Sequence, residues 1–138
     1  MSSITIDVAV KRDIDHVWKC WTDTQCITKW NQASADWHCP KAINDLTVGG
    51  KFSATMAAKD GTASFNFEGI YTKVEKNSTI EYALGDRRKV SVIFEKVSDT
   101  STKITETFDA ETENTEELQR AGWSAILQSF KSHCEGHS

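Results

Sequence analysis

The chain has 138 residues and a net charge of −4, from 16 basic and 20 acidic side chains. That length suits one domain over residues 1–138, with a core large enough to need neither disulfides nor a metal. Apolar residues at 38% and charged residues at 26% are an ordinary globular balance, and the lack of a basic stripe excludes a nucleic-acid backbone as partner.

Ile4, Ile6, Val8 and Val10 alternate with Thr5, Asp7 and Ala9, which predicts a first strand with one buried face. The period then changes. Asp13 is a helix N-cap, followed by Ile14, Val17, Trp18 and Trp21 at helical spacing. A second short helix is expected over Thr24 to Trp30, and a polar, turn-rich stretch from Asn31 to Pro40.

The middle of the chain reads as a meander. Phe52, Ala54 and Met56 alternate before Asp60-Gly61, a strong hairpin turn. Phe65, Phe67, Gly69 and Tyr71 follow, then Ile80, Tyr82 and Leu84, then Val90, Val92 and Phe94, then Ile104 and Phe108. Short connections between these strands predict sequential antiparallel pairing. Arg87, Arg88 and Lys89 form a basic triplet at a turn, read as solvated.

The last element is a helix expected from Asn114 to His133, opening in acidic residues that suit a helix N-terminus. Leu118, Ala121, Gly122, Trp123, Ala125, Ile126, Leu127 and Phe130 give it a broad apolar face. At about 1.5 Å per residue it would be about 30 Å long, enough to cross most of the sheet. The fold class is therefore α+β: a curved antiparallel sheet wrapped around a long C-terminal helix, with two short helices after the first strand.

Three glycine positions have a backbone reading. Gly49-Gly50 permits a positive-φ turn, and Gly69 within a strand suggests a bulge or bend. Gly122 in mid-helix costs about 1 kcal/mol relative to Ala, which fits close packing on backbone or room for a ligand.

This order, strand, two helices, meander, long helix, resembles the helix-grip fold of the START-like (SRPBCC) superfamily. Trp30-x6-Trp37, Asp45-Leu46-x-Val48-Gly49-Gly50-x-Phe52, Phe67-x-Gly69-x-Tyr71 and Gly122-Trp123-x3-Leu127 follow in order. Together they resemble the activator of heat-shock-protein-ninety ATPase homologue family over nearly the whole chain. The chain departs from that pattern at Thr47, where the family usually has Arg before Val-Gly-Gly.

A helix over a curved sheet encloses either a packed core or a cavity. From the sheet side, Phe52, Met56, Phe65, Phe67, Tyr71, Tyr82 and Phe94 are candidates to line it. Trp30, Trp37, Trp123 and Leu127 are candidates from the other elements. Each alone is accounted for by core packing; as a set they make an apolar pocket plausible. Glu106 shares the inward parity of Ile104 and Phe108, where a carboxyl without a partner has a raised pKa and can orient a ligand.

The leading expectation is binding of a small apolar or aromatic molecule. The resemblance implies a second class, a chaperone-regulating stress-response domain. Relatives with that activity have a further N-terminal domain, for which this chain has no room, so direct ATPase activation ranks lower. A polyketide cyclase-like enzyme is the third class, with Glu106, Tyr71, Tyr82 and His38 as its available acid–base groups.

No nucleophile, phosphate-loop or zinc-protease motif occurs, and no cofactor is expected. Cys20, Cys26, Cys39 and Cys134 have irregular spacing and read as reduced, semi-buried thiols. His133, Cys134 and His137 are conceivable metal ligands, but a fraying tail accounts for them, and no metal is expected. Asp36 and His38 read as solvent-exposed. No segment nears about 18 consecutive apolar residues and the N-terminus has no signal core, so neither membrane nor export is expected and the compartment expected is the cytoplasm.

Overall fold

The computed structural model describes residues 2–32 and 34–136. In chain order they form β1 (Ser3–Val10), α1 (Ile14–Thr22), α2 (Thr24–Trp30), β2 (Trp37–Asn44), β3 (Lys51–Ala58), β4 (Ser64–Glu75), β5 (Thr79–Leu84), β6 (Lys89–Ser98), β7 (Ser101–Asp109) and α3 (Glu116–Gly136). The strands make one antiparallel sheet in the order β1-β7-β6-β5-β4-β3-β2. Every strand from β2 to β7 pairs with its sequence neighbour, and β1 closes the far edge against β7. The architecture is the expected helix grip.

Alternation sets which face is buried. In β1 the burial runs strictly exposed-buried, so Ile4, Ile6, Val8 and Val10 point inward. Both short helices start on an aspartate. The Asp13 carboxylate accepts from His16 N at 3.1 Å, and the Asp23 carboxylate accepts from Gln25 N at 2.8 Å. Each satisfies an otherwise orphaned first-turn donor.

β2 was not expected. The turn-rich reading of Asn31 to Pro40 gives way at Trp37, where a seventh strand begins. It is an edge strand with Pro40 in it and a register shift between His38 and Lys41, so its side chains do not alternate cleanly.

Three further corrections follow from packing. α3 begins at Glu116 rather than Asn114, because Thr115 Oγ1 caps it by accepting from Leu118 N at 3.1 Å. Its buried stripe is Gln119, Leu127, Phe130 and Cys134, whereas Leu118 and Ala121 face outward. The buried Gln119 amide instead secures the preceding loop: its Oε1 accepts from Glu111 N, and its Nε2 donates to the Glu111 and Asn114 carbonyls.

Gly69 is not a bulge, since it pairs directly with Phe52 and Leu84; the register shift lies just beyond, between Tyr71 and Lys73. A Cβ at Gly69 would lie 2.5 Å from the Phe52 ring and 2.9 Å from the Ala83 carbonyl oxygen. The glycine is there because the ring covers it. At the β2–β3 connection Gly49 has the expected positive φ of 86°. Thr47 helps shape that turn, its hydroxyl donating to Asp45 Oδ1 at 3.0 Å.

Candidate functional site

The concave face of the sheet and α3 do not close on each other. A cavity of about 430 Å³ lies between them. Phe52, Ala54 and Met56 of β3 and Phe65, Phe67 and Tyr71 of β4 form its floor, with Ile80 and Tyr82 of β5 and Glu106 of β7. Gly122, Trp123, Ile126 and Leu127 of α3 form the roof, and Trp21, Ile27 and Trp30 close the α1–α2 end. Ile43, Phe65 and Leu118 are more than half exposed and fringe the cavity.

Aromatic contacts fix the walls. Phe52 sits at the centre of the floor, its ring centroid 4.6 Å from Tyr82, 5.3 Å from Tyr71 and 5.8 Å from Phe67. Trp123 stacks on Phe108 at 4.0 Å, nearly parallel, and meets Phe67 edge-on at 5.8 Å. α3 is thereby tied to both halves of the sheet by one side chain.

Ten of the twelve expected residues line the cavity: Trp30, Phe52, Met56, Phe65, Phe67, Tyr71, Tyr82, Glu106, Trp123 and Leu127. Two do not. Phe94 is buried behind the wall, edge-on to Trp18 and Trp21. Trp37 packs on Phe65 outside it. His38 is also absent from the lining, and Asp36 is exposed. Of the polar tail residues, His137 lies outside the described residues.

Several wall residues escaped the sequence reading. Trp21 and Ile27 look like ordinary helical core positions, and Ala42, Ile43 and Asn44 belong to the unrecognised β2. The signal for Trp21 was its place on the same helical face as Val17 and Trp18.

Polar side chains on the wall include Asn31, Asn44, Ser53, Arg88, Glu111, Asn114 and Gln119 beside Tyr71, Tyr82 and Glu106. Tyr71 donates its hydroxyl to Asn44 Oδ1 at 2.5 Å, and Asn44 Nδ2 donates to the Thr22 carbonyl at 2.8 Å, linking β4, β2 and α1. Arg88, also on the lining, pairs with Asp86, Nε to Oδ2 at 2.6 Å. Glu106 is different. It lies between Ile6 and Val92 on the neighbouring strands and is only 5% exposed. Burial alone pushes its carboxyl up to about 8, so at neutral pH it is mostly the uncharged acid. Burial also raises the Tyr82 hydroxyl well above its usual value, with the nearby Glu106 adding to the effect. Among the described residues neither group makes a hydrogen bond to the protein, and both face the cavity.

A single curved antiparallel sheet gripping one long C-terminal helix, with an interior cavity between them, defines a START-like (SRPBCC) protein. Residues 11–135 match the family described as activator of Hsp90 ATPase homolog 1-like protein, and the chain belongs to that family. The AHSA1-like protein of Aeromonas hydrophila is 42% identical, with a TM-score of 0.90 over 99% of this chain and 98% of that one. A Cytophaga hutchinsonii protein is 52% identical, with a TM-score of 0.83 over 96% of this chain and 92% of that one. A Chromobacterium violaceum protein shares the fold at 16% identity, with a TM-score of 0.84 over 98% and 99% of the two chains. No curated protein matches the chain. No helix of the described residues is long and apolar enough to cross a membrane.

Proposed function

We propose that the protein binds a small, uncharged, largely aromatic molecule between sheet and α3, held by ring contacts and oriented by the Glu106 acid and the Tyr82 hydroxyl. The observation that carries this reading is the pairing of an apolar cavity with two inward polar groups that have no protein partner. Burying such groups costs free energy unless something hydrogen-bonds them. A core serving only stability would use apolar side chains of the same shape. About 430 Å³ lies within the size range of ordinary ligand pockets. The exposed Ile43, Phe65 and Leu118 would give an apolar molecule its entry.

The chaperone-regulating reading rests on the family description. The cyclase-like reading gains Glu106, Tyr71 and Tyr82 on one cavity wall and loses His38. Neither by itself accounts for the eight aromatic side chains on the lining.

Titration with an environment-sensitive naphthalene dye and with a flavonoid, read by Trp quenching and by calorimetry, tests the binding reading. Affinities on the order of micromolar are expected. Trp123→Ala and Trp30→Ala should weaken binding about tenfold or more, whereas Trp37→Ala, outside the cavity, should leave it unchanged. Equal binding by all three variants and the parent would remove the cavity as the site.

A further inference from the structure

A second cluster of chemically reactive side chains lies away from the cavity, where α1, α2 and α3 meet. Three of the chain's four cysteines converge there, Cys20 from α1, Cys26 from α2 and Cys134 from α3, and all three are buried. Two half-buried histidines join them. His16 lies one turn before Cys20 on the same helix face, its Nε2 3.4 Å from Cys20 Sγ. His133 precedes Cys134 on α3. The ligating atoms of His16, Cys20 and Cys134 lie within 4.8 Å of one another, as do those of Cys20, Cys26 and His133. Cys20 belongs to both groups.

We propose that this cluster is a binding site for one thiophilic d10 cation, zinc(II) or copper(I), with Cys20 as the central ligand. The donor set is the argument. Thiolate with imidazole is the chemistry that selects these two ions, and carboxylates, which would favour magnesium or calcium, are absent from both groups. Two thiolates on a tetrahedral zinc lie about 3.8 Å apart, so the observed spacing needs to contract by about 1 Å at most. Core filling explains the three thiols, but not two imidazoles converging on the same sulfur.

The surroundings suit capture from solvent. The half-buried histidines lead from the surface to the buried sulfurs. Arg12 donates to the Cys134 carbonyl at 3.2 Å, and its charge favours the Cys134 thiolate. Burial opposes it, pushing Cys26 up to about 11 and Cys134 higher, so those two thiols are protonated without an ion and its binding releases their protons. His16 Nε2 is also 3.2 Å from the Cys134 carbonyl oxygen and must turn from that contact to the ion. Sequence spacing hides this site, because Cys20 and Cys26 sit on separate helices and Cys134 is at the far end of the chain.

The test is titration of the reduced, full-length protein with zinc against a chromophoric chelator, and with copper(I) against bathocuproine. One of the two ions should be held as a single equivalent, with cobalt(II) giving a thiolate charge-transfer band. Cys20→Ser should weaken binding about tenfold or more, whereas Cys39→Ser should not, because Cys39 packs with Ala54 and Met56 in a separate apolar cluster. Should Cys20→Ser fail to fold, His16→Gln and His133→Gln serve instead; their half-buried side chains can change without opening the core, and at least one should weaken binding comparably. Failure of both ions to compete with the chelators would overturn the site, as would parental affinity in a folded Cys20→Ser or in both histidine variants.

Discussion

At the helical end of the molecule, Trp21, Trp30, Phe94 and Phe130 meet with ring centroids 4.9 to 5.8 Å apart. Across the middle, Phe52, Phe67, Tyr82 and Trp123 are also in ring contact but border a cavity of about 430 Å³. The difference lies in how many elements converge. α1, α2, α3 and β6 all supply rings at the helical end, so the rings pack on one another, with Trp21 and Trp30 also forming the end wall of the cavity. Over β3 to β5 only α3 faces the sheet, and its backbone runs close to β1 and the short helices instead. A concave sheet and a straight helix touch at their ends and part in the middle, unless large side chains fill the gap.

The largest expected effect separates the two regions by stability. Phe130 is fully buried between Trp21 and Trp30, and its removal leaves a void in the core. Phe130→Ala should cost about 3–5 kcal/mol. Phe67 is only half-buried and already borders open space, so Phe67→Ala should cost about 1–2 kcal/mol. Denaturant unfolding of both variants checks this, and equal costs would mean that the cavity is closed in solution.

Comparable in size is the pH dependence of Glu106. Its ordinary value is 4.5 and burial lifts it to about 8. The unfolded chain therefore releases this proton at lower pH than the folded one. Stability should fall as pH rises from 4.5 to about 8 and level off above. Tyr71 and Tyr82, which share the wall, stay protonated through that window, since burial raises both. Glu106→Gln removes the titration, so above pH 8 it should be more stable than the parent by on the order of 5 kcal/mol. Parallel pH profiles for the two proteins would show that water reaches the carboxyl and keeps it ionised.

The fold was legible where burial is one-sided. Strict alternation in β1 and β5, aspartate caps on α1 and α2, and short turns between β3 and β7 each point to one answer. Glu106 was legible for the same reason, because strand parity gives its direction without knowledge of its neighbours. β2 was not, since a bulged edge strand carrying Pro40 has no period to read. Trp37 and Phe94 have the composition and spacing of cavity residues, and only tertiary placement puts one outside the wall and the other behind it. The void itself is invisible to a pattern of apolar residues, which is the same for a filled interior and an open one.

The smallest effects come from two glycines that look alike in sequence and differ in what lies above them. Phe52 covers Gly69, and a methyl group there would press on the ring and on the Ala83 carbonyl. Gly69→Ala should cost about 1–3 kcal/mol, because the carbonyl belongs to a paired strand and cannot yield. Gly122 lines the cavity roof, and a Cβ there would meet nothing within 4 Å. Of the two explanations its sequence position allowed, close packing on backbone is removed and free space is kept. Gly122→Ala should therefore raise stability by about 1 kcal/mol, the usual helix gain. Gly122→Leu should keep the helix intact while filling the cavity, weakening dye binding without lowering the melting temperature. A Gly122→Leu protein that binds dye as well as the parent would place the dye away from the α3 roof, and one that melts lower would show that helix and sheet already touch there.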